Sequence, residues 1–319
     1  MNRQLFSIVM TTLFVTVFTS CSQKSSQKSS QNIEWIPFSW TTVTLSERVI
    51  EKATMNIPVT IDELPQKFTM QFDLGAVTTH FYGHSLNPFL EEYTSLHNKL
   101  DTTKKFWIQN QENPMFTNID LQLGKVVFKG IDVGLFTNFG NETSLDSINS
   151  ETEIHIGTIG PDLVQNKILI IDFKLNRLAI ADTLPFEYQN ASFENFKIDH
   201  GRIRIPFQIN GKKEDLMFDT GSSIFSLITN KQNALEIGGN EIVDSLMVPS
   251  WGELIPFYGL ETVVPIIFGD KKMEKSIVYY NTSWDDFYKT QEIWGITGNA
   301  FFFNDIIIID YKNNRFGVK

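Results

Sequence analysis

The chain has 319 residues, 42% of them apolar and 20% charged, with 27 phenylalanines, which is enough apolar side chain for one large core or two ordinary ones and excludes wholesale disorder. Its 37 acidic residues outnumber 27 basic ones for a formal charge of −10. The basic residues are scattered, which speaks against nucleic acid as a partner because phosphate binding needs clustered Lys and Arg.

In chain order, the first segment differs in kind from the rest. Arg3 gives a positive start, Leu5 to Phe18 is an apolar run, and the small residues Thr19-Ser20 precede Cys21. The run is short for a bilayer span, which takes about 20 residues. Cys21 is the only cysteine, so no intramolecular disulfide is possible. Residues 1–20 thus resemble a bacterial lipoprotein signal with its lipobox, Phe18 standing where that family usually carries an aliphatic residue. The resemblance implies export, lipid on Cys21, and attachment to a bacterial cell-envelope membrane on its periplasmic or surface face. An ordinary cleaved signal or an N-terminal anchor helix is the alternative. Residues 21–32 are low-complexity Ser, Gln and Lys and read as the lipidated Cys with a flexible tether. Packing is expected from Trp35 onward.

The body reads as strands that repeat. Ile57-Pro58-Val59-Thr60-Ile61, a turn, and Phe68 to Gly75 have a counterpart in Ile205-Pro206-Phe207-Gln208-Ile209, a turn at Asn210-Gly211, and Leu216 to Gly221. Helical spacing is confined to Pro88–Leu100 and to a short start at Gly160-Pro161-Asp162-Leu163. Leu121 to Phe128 looks like a hairpin around Gly124. Further on, Ile156-Gly157-Thr158-Ile159-Gly160 followed by Ile168 to Ile180 matches Trp294-Gly295-Ile296-Thr297-Gly298 followed by Ile306 to Val318, at one offset without a gap. The expected fold is all-β with few short helices, built from two homologous halves at 33–190 and 191–319.

Phe72-Asp73-Leu74-Gly75-Ala76 and Phe218-Asp219-Thr220-Gly221-Ser222 each follow an Ile-Pro strand and precede the Gly-x-x-Gly and Ile-Ile-Asp-aromatic segments in the same order. A strand ending in such a turn presents one carboxylate, and a glycine beside it allows close backbone approach. Two carboxylates held together cannot both ionise, so they supply one general base and one general acid at the same pH. Over residues 55–319 the chain resembles the pepsin-like and retropepsin-like aspartic peptidases. The resemblance implies two lobes about a pseudo-twofold, Asp73 and Asp219 as the catalytic pair, and support from Gly75, Thr220, Gly221 and Ser222. It also implies ψ-shaped loops at Gly157, Gly160, Gly295 and Gly298, and a flap near 105–117 with Trp107, Asn113 and Phe116 as candidate lid residues. The implied activity is endopeptidic hydrolysis by an activated water, with a peptide or protein substrate and no cofactor or metal. Because one chain supplies both halves, a monomer is expected. Leu74 and Ala76 depart from the family's Thr and Ser, removing a hydroxyl that would bond across the lobes and one that would support Asp73. The alternative is therefore a protein that keeps the cleft, binds peptide and lacks the chemistry.

Other residues have plainer explanations. His80 and His84 carry the spacing of a helical metal pair, but no Glu follows His80 and Gly83 intervenes. Ser222 and Ser223 lack the Gly-x-Ser-x-Gly turn of a serine nucleophile. Phe301-Phe302-Phe303 and Trp294 read as packing, and Asp172 and Asp310 as turn caps.

Overall fold

The computed structural model describes residues 33–149, 151–273 and 275–319, so the signal and tether expected over 1–32 lie outside the described residues. Strands dominate, joined by a few short helices. Several hairpins turn on two residues that both have positive φ: Ser46-Glu47, Gln109-Asn110, His200-Gly201, Asn210-Gly211 and Trp251-Gly252. This left-handed turn matches the right-handed twist of the strands it joins.

Among the described residues the strands form three sheets. In the eight-stranded one, Phe68–Phe72 lies between Arg48–Ile61, antiparallel, and Ile154–Ile159, parallel. In the ten-stranded one, Lys212–Asp219 lies between Arg202–Ile209, antiparallel, and Gly295–Gly298, parallel. Each of these two strands therefore runs through the middle of its sheet and delivers an aspartate at its C-terminal end. The third sheet has six strands and draws on both halves of the sequence. At its centre Ile168–Asp172 pairs antiparallel with Ile306–Asp310, and each continues into its own hairpin partner, Arg177–Ala181 and Arg315–Val318. The halves thus share a sheet and belong to one compact unit.

Most Ile and Phe residues of these strands are buried, and Phe72, Ile159, Phe218, Ile170 and Ile308 fully so; each of these contributes about 1.5–3 kcal/mol by leaving water. Phe301 packs edge-on against Phe207 and Phe302 against Phe218, while Phe303 meets Trp40 and Phe173. Asp172 accepts from Leu175 N and Arg177 Nε, and Asp310 from Asn313 N and Arg315 Nε, closing equivalent turns in the two halves.

One element differs from expectation. The helix begins at Gly83, not Pro88, and runs Gly83–Glu92 with Pro88 inside it; a separate turn of helix follows at Thr94–His97. Pro88 has no N–H to give the His84 carbonyl, and that oxygen takes Thr143 N instead, at 3.4 Å. Gly83 opens the helix because a side chain there would lie 2.1 Å from the Thr137 carbonyl oxygen.

Candidate active site

Asp73 follows strand Phe68–Phe72 directly, its N–H bonded to the Ile159 carbonyl at 3.0 Å. Asp219 ends strand Lys212–Asp219, opposite Gly298. The turns after them are built alike. Asp73 Oδ1 accepts Gly75 N at 2.8 Å and Ala76 N at 3.1 Å, and Asp219 Oδ1 accepts Gly221 N at 2.7 Å and Ser222 N at 3.3 Å. Each turn also seats the other carboxylate. A Cβ added to Gly75 would lie 2.4 Å from Asp219 Cγ, and one added to Gly221 would lie 2.5 Å from Asp73 Cγ. Here glycine is required by space, since any side chain would displace the opposite carboxylate. The two carboxyl groups thus face each other across the paired turns, near enough for each to influence the other's ionisation.

Asp73 is 7% exposed. Burial and the Asp219 charge hold its carboxyl well above the usual carboxylate range, against the pull of the Gly75 and Ala76 amides. Folding thus raises its affinity for a proton. The stability this contributes is complete below the ordinary carboxylate pKa and is lost as pH rises through the raised value. Asp73→Asn removes that loss, so its stability relative to the parent is expected to rise from pH 4 to pH 8, as read by urea unfolding. A difference that stays flat with pH would contradict the raised proton affinity of Asp73. His80 and His155, which burial pushes down to about 4, act in the opposite sense but are present in both proteins.

Thr220 ties the two turns together: its buried hydroxyl donates to the Phe72 carbonyl and accepts from Leu74 N, both at 2.9 Å. Leu74 is buried and apolar, so the bridge is made from one side. Behind Thr220, Asn299 donates to the Thr220 carbonyl at 2.9 Å and to Ser223 Oγ at 2.8 Å, and Ser223 donates to the same carbonyl at 3.0 Å. In the first half Asp162 takes Thr78 Oγ1, Thr79 N and Thr79 Oγ1 at 2.8–3.0 Å, and Thr79 Oγ1 accepts Gly160 N. Sequence reasoning missed Asn299 and Thr79, and saw Asp162 only as part of a helix start. The usable signal for Asn299 is its position next to Gly298. The support expected from the Ser222 hydroxyl comes instead from the Ser222 amide, and Ala76 supplies the same amide to Asp73.

The four loop glycines sit where backbone crosses backbone. A Cβ on Gly157 would lie 2.3 Å from His80 O, on Gly160 2.6 Å from Thr78 C, on Gly295 2.4 Å from Ile228 O and on Gly298 1.6 Å from Ser222 O. They hold the chain that follows each aspartate.

The three candidate lid residues separate. Trp107 is 62% exposed beside the Gln109-Asn110 turn, whereas Phe116 is in the core against Phe81. Asn113 is buried and accepts Thr137 N and Oγ1. Asn113 and Phe116 are therefore interior packing and not lid surface. A second hairpin, Gly238–Ser250 with Glu253–Thr262, reaches from the second half to the first. Its turn residue Trp251 has φ of 50°, a conformation that costs a bulky residue on the order of 1–3 kcal/mol, and packs on His80, Phe136 and Phe139 at ring centroid distances of 5.8–6.4 Å. The hairpin is also held by Asp244, which binds Arg48 and Tyr279. His80 is buried between Phe106 and Trp251, with Nδ1 on the Thr78 carbonyl and Nε2 unpartnered. It lies on strand His80–Tyr82 while His84 lies in the helix. Tyr82 donates to or accepts from Thr158 Oγ1 at 2.6 Å, and burial, with the Asp73 charge adding to it, pushes its hydroxyl pKa upward.

No protein-family model matches the chain, and no curated protein matches it.

Proposed function

We propose that this protein hydrolyses peptide bonds as an aspartic-type endopeptidase, its two halves being lobes of one duplicated unit related by a pseudo-twofold between Asp73 and Asp219. The observation that carries this reading is the reciprocal seating of the two carboxyl groups, each against the other turn's glycine. Such a pair holds one proton. Asp73, the more buried, keeps it; Asp219 is the base. As a water oxygen adds to the substrate carbonyl carbon, a water proton passes to Asp219, and the Asp73 proton passes to the carbonyl oxygen. The tetrahedral intermediate then collapses: the C–N bond breaks, the nitrogen takes the proton from Asp219, and a hydroxyl proton returns to Asp73. Atoms and charge balance without a metal or a covalent intermediate.

The alternative, a peptide binder without the chemistry, rested on Leu74 and Ala76. Three hydrogen bonds weigh against it. The Ala76 amide makes the bond that a residue at this position owes Asp73, and the Thr220 hydroxyl alone reaches both Phe72 and Leu74. Purified protein incubated with a diverse peptide library from pH 3 to pH 7 is expected to yield internal cleavage products. A protein that binds members of the library and cuts none would establish the binder instead.

We also propose that lipid on Cys21 anchors the protein to a bacterial cell-envelope membrane, as the run ending at Thr19-Ser20-Cys21 supports. Intact mass of the mature protein is expected to show an acylated Cys21. Cys21→Ser should move most of the protein from the membrane to the soluble fraction; retention in the membrane would mean another anchor.

A further inference from the structure

Five arginines lie in the described residues. Four are ion-paired with an aspartate: Arg48 with Asp244, Arg177 with Asp172, Arg204 with Asp199 and Arg315 with Asp310. Arg202 is the exception. Its Nε donates to the Gly75 carbonyl at 2.7 Å, and among the described residues it has no carboxylate partner. Asp199, its cross-strand partner over the His200-Gly201 turn, is taken by Arg204 and lies 3.0 Å from His200 Nδ1. In a chain with ten more acidic than basic residues, a guanidinium left without an acid is unusual.

Its position is specific. The antiparallel pairing of Arg202–Ile209 with Lys212–Asp219 includes Arg204 opposite Met217. The recorded pairing ends there, and extending its register by two residues brings Arg202 level with Asp219. The Gly75 carbonyl that receives Nε belongs to the glycine that seats the Asp219 carboxylate. Bonds of standard length then place Arg202 Nε within roughly 9 Å of Asp219 Cγ, a span that a substrate covers in two or three residues. Holding a carbonyl needs one N–H, which glutamine or lysine can give. Arginine adds a planar edge of two terminal nitrogens matched to a carboxylate, and anchoring through Nε fixes that plane. Residue 202 is half-buried, so the edge is neither sealed in the core nor free in solvent.

We propose that Arg202 is a specificity residue that binds a substrate carboxylate one or two residues from the scissile bond, drawn from an Asp or Glu side chain or from the peptide C-terminus. This deepens the peptidase reading and rests on it for the word substrate.

The test uses matched peptides on the full-length protein. One pair differs by Glu against Gln at positions flanking the cut, the other by a C-terminal acid against an amide. Binding is measured by calorimetry and cleavage by kcat/KM. The acid member of at least one pair is expected to bind about tenfold more tightly, and the pair that responds identifies the source. Arg202→Gln should erase the preference while changing binding of the neutral peptides less than threefold, and Arg202→Lys should restore part of it. Equal binding of acid and neutral peptides by the parent protein would overturn the assignment. So would an Arg202→Gln variant that weakens both members equally, since that is the behaviour of a strut between the turns. Because binding is read separately, failure to cleave any peptide strikes the peptidase reading alone.

Discussion

Asp73→Asn and Asp219→Asn are each expected to lower peptide cleavage by about three orders of magnitude or more, with far-UV circular dichroism unchanged. The size follows from the pair acting as a unit: removing one member costs nearly as much as removing both. Asn at 219 cannot take a proton from water, and Asn at 73 cannot pass one to the carbonyl oxygen. Both variants should fold, because Oδ1 of each residue accepts the turn amides and an amide oxygen accepts as a carboxylate oxygen does. The double variant should be no worse than the worse single one. Residual cleavage above one-tenth of the parent in either single variant would show that the pair is not the reacting centre.

Gly298→Ala is expected to destabilise the protein by more than about 4 kcal/mol, beyond what most single substitutions cost. The added methyl would lie 1.6 Å from the Ser222 carbonyl oxygen and 2.7 Å from that of Phe225. Both obstacles are backbone in the segment just after Asp219, so no rotamer change relieves them. Gly239→Ala is the control, because nothing lies within 4 Å of its added carbon; it should change stability by less than about 0.5 kcal/mol. Thermal and urea unfolding of the two variants side by side measures the difference. Similar stabilities would mean that the 222–225 segment does not cross Gly298 closely.

The parts of the site that were legible in the sequence are those whose physics is local. Asp73-Leu74-Gly75 and Asp219-Thr220-Gly221 sit at strand ends, and Asn210-Gly211 and Gly124 mark turns by their tolerance of positive φ. Asp172 with Arg177 and Asp310 with Arg315 close their turns within five residues. What stayed hidden depends on distant partners. The 238–262 hairpin was not singled out because its strand Gly238–Ser250 is largely exposed and lacks a clean alternation, and Trp251 is a poor turn former whose position is set by His80, Phe136 and Phe139. Asn113 and Phe116 were assigned to a lid by distance along the chain, but their burial is set by Thr137 and by Phe81 on strand His80–Tyr82, which pack on them. Ser222 was credited through its side chain, whereas the turn geometry makes the amide the nearer donor. The pairing of Ile168–Asp172 with Ile306–Asp310 had no local signal either, since both runs are apolar on both faces and one such strand looks like the other.

That pairing sets an order of events when the chain is made. At the usual pace of 5–20 residues per second, Ile306–Asp310 emerges roughly 7–30 s after Ile168–Asp172. Until then one edge of Ile168–Asp172, an apolar strand with Arg177–Ala181 on its other side, has no partner from its own chain, and such an edge pairs readily with strands of other molecules. A nascent first half is thus a sticky intermediate whose lifetime is fixed by the length of the second half, so slowing synthesis between the two strands lengthens the exposure and speeding it shortens it.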